Sequence, residues 1–456
     1  MRVMKFGGTS VGNARAIAGT AEILARERQH GPIVAVVSAM SGITNTLLDA
    51  AEAAVAGDSE TVETARALIL APHRTALTRL IPSGQRRRET SAAVSTLVDE
   101  ASRLLYSIYI LRELSPRARD RLVSFGERMS SLLVAAYLEE IGTPARAVAS
   151  DKLIVTDSVF GSAAPQLEPT RARAQERLKP LLDDGVLPVV TGYFGANEEG
   201  LTTTLGRGGS DFSASILANA LDAEEVWIWT DVDGVMTADP RMVEGARTLD
   251  SLTYDEATEL AYFGAKVIHP KTMYPAAERS IPIWIKNTFN PDEPGTCIGP
   301  QKPNHTVAKA IATVPGLAAV TVEGRGLIEV SQVTARIFAA IGHTDANVYM
   351  ISQASSQHSV TFIVRNQDLQ VVTAALEDEF REDIRSQRVL SIGIDRDLTI
   401  VAVVGEGMRG TPGVAGKVFV TMGDNDVNIV AIAQGSSELN ISFAISEKDV
   451  VRAVSA

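Results

Sequence analysis

The chain of 456 residues has one cysteine, 5% aromatic residues and fewer basic than acidic side chains, 43 against 55. Each shortage closes off a class. Cys297 has no intrachain partner for a disulfide and no second thiol for a zinc site, which fits a reducing compartment, so the cytoplasm is the expected address. The six histidines never fall at a His-x-x-x-His spacing, so the sequence offers zinc no candidate cluster. A net charge of −12 gives no general attraction to nucleic acid or an anionic membrane, and any bound anion must be held by a local site. No stretch of about 18 apolar residues occurs, and the opening Met1-Arg2-Val3-Met4-Lys5-Phe6 meets Gly7-Gly8 before a signal-peptide core could form. Neither a membrane span nor export is expected. What is present is ordinary: 45% hydrophobic and 21% charged residues, over a length that suggests two to four domains.

Strand and helix patterns alternate through the first 300 residues. Residues 2 to 6 read as a strand, and Gly7-Gly8 turn the chain into a segment where Ile17, Ala21 and Leu24 recur at helical spacing. Ile33-Val34-Ala35-Val36-Val37 has the length and β-branched content of a strand covered on both faces, which implies a parallel sheet. The pattern returns at 186–190 and 226–229, each time after helical sequence, at 169–184 and 211–220. This half is therefore α/β. Between about 44 and 140 the chain is rich in Ala, Leu, Arg and Glu, which predicts a helical insertion whose last helix runs from about Gly126 to Glu140. Pro291, Pro294, Gly295, Gly299, Pro300 and Pro303 mark a linker near 290–305.

Beyond the linker the sequence repeats itself at an offset of 81 residues. Gly324/Gly405, Phe338/Phe419, Asn347/Asn428, Gln353/Gln434, Ser356/Ser437 and Phe362/Phe443 are among ten identities in register. Each copy reads as strand, loop, amphipathic helix, strand, polar bend and second strand, giving two small α+β modules at 305–395 and 396–456. The second copy stops at Ala456 while its last helix should still be building, so either the natural chain runs on or the module is clipped.

Several segments have the composition of binding loops. Lys5-Phe6-Gly7-Gly8-Thr9-Ser10 closes a strand and opens a helix, where backbone N–H groups and the helix dipole favour phosphate. Because the lysine precedes the glycines it is not a Walker loop, and a plain structural turn is the other reading. In Thr202-Thr203-Thr204-Leu205-Gly206-Arg207-Gly208-Gly209-Ser210-Asp211, glycines flank an arginine and Ser210-Asp211 would cap the following helix. That combination suits a carboxylate; a flexible loop with a solvated Arg207 is the alternative. Ser38-Ala39-Met40-Ser41-Gly42-Ile43-Thr44 opens on the carboxyl edge of the sheet, where α/β proteins bind ligands, unless its hydroxyls only cap a helix. Glu127, in Phe125-Gly126-Glu127-Arg128, reads alone as an exposed first-turn acid. Trp229-Thr230-Asp231-Val232-Asp233-Gly234 ends another strand; a calcium loop starting at Asp231 would need Gly and Glu where Met236 and Met242 stand, so no metal ligands are assigned.

In this order, Lys-Phe-Gly-Gly-Thr-Ser, Ser-Phe-Gly-Glu, Thr-Thr-Leu-Gly-Arg-Gly-Gly-Ser-Asp, Trp-Thr-Asp-Val-Asp-Gly and Phe-Gly-Ala-Lys-Val-Ile-His-Pro resemble the aspartate kinases of the amino-acid kinase family over essentially the whole chain. The repeat resembles their paired ACT modules. The resemblance implies an amino-acid kinase sandwich over 1–300 with a mainly parallel central sheet, then two α+β ACT-like regulatory modules. It implies transfer of the γ-phosphoryl of ATP, with Mg²⁺, to the β-carboxylate of L-aspartate, giving 4-phospho-L-aspartate. Lys5, Gly7 and Gly8 would hold phosphates, and Ser38 and Thr44 would line the meeting point of the two substrates. Glu127 would take the α-amino group and Arg207 the α-carboxylate, with Ser210 and Asp211 nearby; Lys5, Arg207 and Asp211 would be catalytic. Thr230, Asp231, Arg241 and Lys266 match nucleotide-binding positions. One position departs from the family: Met236 stands where a Tyr is usual, so an aromatic contact to the nucleotide is not expected from it.

Elementary chemistry agrees with those roles. A zwitterionic amino acid needs one carboxylate and one guanidinium for its two charged ends, which leaves the side-chain carboxylate to react. With a pKa of about 4 that carboxylate is already an ionised nucleophile at neutral pH, and no general base is required. In the repeats, Gln353-Ala354-Ser355-Ser356 and Gln434-Gly435-Ser436-Ser437 could receive an amino-acid effector or merely terminate strands. Family modules bind end-product amino acids, often across paired subunits, so a homo-oligomer is expected. The wording here is most similar to aspartokinases fused to homoserine dehydrogenase, which favours threonine, then lysine. Two other functions stay open. A glutamate or acetylglutamate kinase should lack the doubled module and Ser-Phe-Gly-Glu; a non-catalytic amino-acid sensor need not keep Lys5, Glu127, Arg207 and Asp231 together.

Overall fold

The computed structural model describes residues 1–264, 268–300, 306–324, 330–353, 359–386 and 389–456. Lys266 and residues 354–356 of the first polar bend lie outside them. Along the first 300 residues come β1 (Arg2–Phe6), α1 (Ala14–Glu27), β2 (Ile33–Val37), α2 (Ile43–Ala56), α3 (Ser59–Leu80), α4 (Gln85–Leu111), α5 (Pro116–Glu140), β3 (Ala145–Val148), α6 (Leu167–Asp183) and β4 (Leu187–Thr191). They are followed by β5 (Phe194–Ala196), β6 (Thr202–Thr204), α7 (Gly209–Leu221), β7 (Glu225–Thr230), β8 (Ser251–Thr253), α8 (Tyr254–Tyr262), α9 (Pro270–Glu278), β9 (Ile283–Asn287) and β10 (Thr296–Gly299). Two compact units result, one of residues 1–235, 248–254 and 267–301, the other of 236–247, 255–266 and 302–456.

The first unit is built on an eight-stranded sheet in the order β3-β4-β2-β1-β7-β9-β10-β8. All its pairings are parallel except β9 with β10, so the expectation of a mainly parallel α/β sheet holds. Every residue of β2 and β4 is buried, as their apolar runs require when both sheet faces are covered. From β1 the chain steps to β2 on one side and later returns to β7 on the other, which creates a switch point beside β1. The carboxyl ends of β1, β2, β4 and β7 bring Gly7-Gly8, Ser38-Ala39, Gly192-Tyr193 and Thr230-Asp231 to one edge of the sheet.

The helical insertion consists of α2, α3, α4 and α5. Its last helix starts ten residues earlier than the apolar pattern suggested, because Ser115 caps it by accepting the Ala118 N–H and Pro116 fills the first helical position. Glu127 is therefore a mid-helix, buried residue and not an exposed first-turn acid. A second correction concerns α7. Its N-cap is Gly208, in the left-handed region at φ 70°, so Ser210 and Asp211 lie inside the first turn and cap nothing.

The second unit contains β11 (Ala310–Gly324), α10 (Val330–Gly342), β12 (Met350–Gln353), β13 (Ser359–Arg365), α11 (Leu369–Glu379), α12 (Arg381–Arg385), β14 (Val389–Val404), α13 (Val414–Asp424), β15 (Ile429–Ala433), β16 (Asn440–Ser446) and α14 (Val450–Ser455). Its six-stranded sheet runs β12-β13-β11-β14-β16-β15, an order in which each strand of the first copy has its counterpart mirrored in the second. Adding the 81-residue offset to β13 gives the bounds of β16. Each copy has its own core, Val320, Phe362, Leu376 and Phe380 in one, Val401, Met422, Phe443 and Val454 in the other. No helix among the described residues is long and apolar enough to cross a membrane.

Candidate active site

Lys5 stands on the central strand of the first sheet and is 8% exposed. Its ammonium lies 2.6 Å from Asp211 Oδ1, in the first turn of α7. An ammonium has three donors, so the carboxylate fixes its position and leaves it able to bond further oxygens. Gly7 lies beside that ammonium, since a Cβ there would touch Lys5 Nζ at 3.4 Å, an ordinary contact. The Gly7 N–H is tied to the sheet, donating to Trp229 O at 3.2 Å. Gly8 meets the loop after β2, its carbonyl accepting from Ser41 Oγ at 2.9 Å.

Helix α5 supplies the acidic side. Gly126 lets it pack directly on that same loop, because a Cβ at this position would come within 2.7 Å of Ala39 Cβ. Ser130 Oγ donates to Ser38 O at 2.6 Å and pins the contact. Glu127, next to the glycine, is 3% exposed. Its Oε1 accepts the Ala39 N–H at 3.2 Å, while Oε2 has no hydrogen-bond partner among the described residues. Burial pushes its carboxyl up to about 8, outweighing the opposing pull of backbone N–H groups and of Arg128. The Arg128 guanidinium is itself committed to Asp151 at 2.7 Å.

A cavity of about 430 Å³ gathers Lys5, Ser38, Arg207, Ser210 and Asp211 on its wall. Arg207 is exposed, on a loop whose flanking Gly206 and Gly208 both have positive φ. Thr204 of the Arg207 segment is on the wall too, with three polar residues that the sequence did not single out: Arg119, Asp120 and Tyr193. Tyr193 has φ 76°, and its N–H donates to Ser213 Oγ at 3.0 Å. Its phenol is pushed up first by burial and then by the charge of Glu127, which puts the two side chains in electrostatic reach. Asp120 lies seven residues before Glu127, two turns earlier on one helix face, a spacing visible in sequence only once α5 is known to begin at Pro116.

The remaining candidates are spread more widely. Thr44 is half-buried in the first turn of α2 and does not line the cavity. Thr230 Oγ1 donates to Asp231 Oδ1 at 3.1 Å where β7 ends, and Asp233 accepts both the Asn287 and Asn290 amides. Arg241 belongs to the second unit, where it grips Asp239 at 2.6 Å. Gln353 ends β12, Gln434 follows β15, and both are exposed.

Comparison with known proteins adds an independent line. The amino acid kinase family matches residues 1–287, and the ACT domain matches 320–380 and 401–456. The chain is 36% identical over 461 residues to bifunctional aspartokinase/homoserine dehydrogenase 1, chloroplastic, of Zea mays, covering 100% of this chain and 50% of that protein. It is 32% identical to aspartokinase 3, chloroplastic, of Arabidopsis thaliana, covering 100% of this chain and 80% of that one. Among solved structures, E. coli aspartokinase III in complex with aspartate and ADP (R-state) is similar with a TM-score of 0.79 at 30% identity, over 100% of this chain and 98% of that one. The same enzyme with lysine and aspartate (T-state) reaches 0.83, also at 30% identity, with the same coverage. The chain spans about half the length of the bifunctional relatives it matches.

Proposed function

Since this chain belongs to the aspartate kinases of the amino acid kinase family and carries ACT domains behind its kinase region, we propose that it transfers the γ-phosphoryl of ATP to the β-carboxylate of L-aspartate, yielding 4-phospho-L-aspartate and ADP. One observation carries the reading: a single cavity wall holds the paired Lys5 and Asp211 together with Arg207, and Glu127 is bonded to Ala39, next to the wall residue Ser38.

Glu127 takes the substrate ammonium on its unshared Oε2, and Arg207 takes the α-carboxylate. The β-carboxylate, ionised without help, then faces the terminal phosphoryl. What is left for the protein is alignment and neutralisation of charge, as suits a loose phosphoryl-transfer transition state. Lys5, held by Asp211, neutralises phosphate charge, and Mg²⁺ carried by the nucleotide would add to that neutralisation. Gly7 and Gly8 form the turn at the phosphate end, Ser38 and Ser210 line the substrate end, and Thr230 and Asp231 hold the nucleotide. The single cysteine supports a cytoplasmic address.

The test is a coupled assay of ADP release with aspartate, glutamate and acetylglutamate in parallel. Aspartate should support turnover well above either alternative; comparable rates with glutamate reject the reading. In the same assay Arg207→Ala should raise the aspartate KM about 10- to 100-fold, the range expected for losing hydrogen bonds to a charged group, with the ATP KM almost unmoved. Equal rises for both substrates would strip Arg207 of its role.

The two modules form the regulatory half in this proposal, pairing copies of the chain and binding an end-product amino acid near Gln353 and Gln434. Threonine is the favoured effector and lysine the next. Separate titrations decide between them: threonine should inhibit through a coupling of roughly 5- to 150-fold in apparent affinity, and indifference to threonine removes it.

A further inference from the structure

We propose that Asp120 is a positioning residue, a strut that fixes the Arg207 loop relative to Glu127 and thereby sets the length of amino acid the site accepts. The inference rests on the proposed aspartate kinase reading. Asp120 is 1% exposed, and a carboxylate so deeply buried is tolerated only when its oxygens are satisfied. Its Oδ2 accepts the Gly161 N–H at 2.9 Å and the Thr204 N–H at 2.8 Å, and Oδ1 accepts the Thr204 hydroxyl at 2.8 Å. Two of these three bonds go to Thr204, the last residue of β6, and only Leu205 and Gly206 separate it from Arg207. Thr204 is held on its other side as well, its carbonyl accepting the Ala163 N–H at 2.8 Å, and the next N–H, of Leu205, is bound by Tyr193 O at 2.9 Å. Little freedom remains before the arginine.

At the other end of the strut is α5 itself. Asp120 and Glu127 lie on one face of this helix, about 10 Å apart along its axis at 1.5 Å per residue. The group proposed to take the ammonium and the loop proposed to take the α-carboxylate are thus joined by one rigid rod and one carboxylate. That link matters because aspartate and glutamate differ by a single methylene, and rejecting one extra methylene is worth only about 10- to 200-fold at best. Such discrimination survives only if the two grips are held to within about 0.5 Å. A charge that touched the substrate would act differently, through its sign.

Replacement by asparagine separates the two possibilities. Its carbonyl oxygen can accept both N–H groups and its amide can donate to the Thr204 hydroxyl, so Asp120→Asn keeps the strut and discards the charge. Asp120→Ala discards both. The measurement is kcat/KM for aspartate against glutamate, with the ATP KM and a thermal melt alongside. Asp120→Ala should lower the aspartate-to-glutamate ratio about tenfold or more through the aspartate KM, and Asp120→Asn should restore most of it. Should Asp120→Ala fail to fold, Thr204→Val, which deletes one of the three bonds, takes its place with a smaller fall of the same kind. A folded Asp120→Ala or Thr204→Val enzyme with an unchanged ratio overturns the proposal. So does an Asp120→Asn enzyme as impaired as Asp120→Ala. Wild-type protein that does not phosphorylate aspartate overturns the functional reading first and the strut with it, a result distinct from any pattern among the variants.

Discussion

Lys5→Ala should lower kcat by about 10²- to 10³-fold, the cost of deleting one preorganised electrostatic stabiliser, while the aspartate KM stays close to that of the wild type. The asymmetry follows from position. Lys5 sits at the end of the central strand beside the glycine turn, and its ammonium is fixed by Asp211 in a largely shielded setting, so it needs no reorganisation when phosphate charge develops. The substitution also leaves Asp211 without its cation, and that can cost up to about 3 kcal/mol of folding stability. A thermal melt therefore accompanies the kinetics, and Lys5→Ala combined with Asp211→Asn should recover the melting temperature without recovering kcat. A kcat within tenfold of wild type at saturating ATP and aspartate would remove Lys5 from catalysis.

Glu127 should give the second large effect, with an unusual dependence on pH. Its carboxyl is raised to about 8 in the folded chain, chiefly by burial, whereas in an unfolded chain it titrates near 4.3. Between those values the folded protein keeps a proton that the unfolded one has released. The stabilisation is thus complete below about pH 4, declines by at most about 1.4 kcal/mol per pH unit as pH rises, and is gone above about pH 8. Glu127→Gln, which cannot ionise, should melt later than wild type at pH 8 and lose that slope. Its aspartate KM should rise about 100-fold or more, because a neutral amide replaces the charge that meets the ammonium. In the wild type the ammonium requires the ionised form, so the aspartate KM should fall as pH climbs from 6 to 8, by up to tenfold per unit, and binding should release a proton. Initial rates across that range, with calorimetry in two buffers of different ionisation enthalpy, check both statements. An aspartate KM that is flat in pH contradicts the assignment.

Parts of this arrangement were legible in the sequence because they obey local rules. The apolar run at 33–37 has the pattern of a strand covered on both faces, and the 81-residue repeat by itself implies the paired elements of the second unit. Glu127 was misplaced for an equally local reason. The start of α5 was read from the onset of apolar residues near Gly126, although Ser115 and Pro116 carry the stronger start signal. Asp120 leaves no such signal, since a charged residue near the start of a helix is ordinary until three donors from distant segments converge on it. The pairing of Lys5 with Asp211 joins residues more than two hundred positions apart, and the cap at Gly208 depends on a left-handed backbone; neither leaves a trace in spacing alone.

The long central ladder of the second unit makes its two copies lean on each other. β11 and β14 pair over most of their 15 and 16 residues, so each copy seals the inner border of the other. Shedding either copy would leave a long row of unsatisfied backbone donors and acceptors, an invitation to aggregate. Either copy by itself would need some other strand or covering segment along that border.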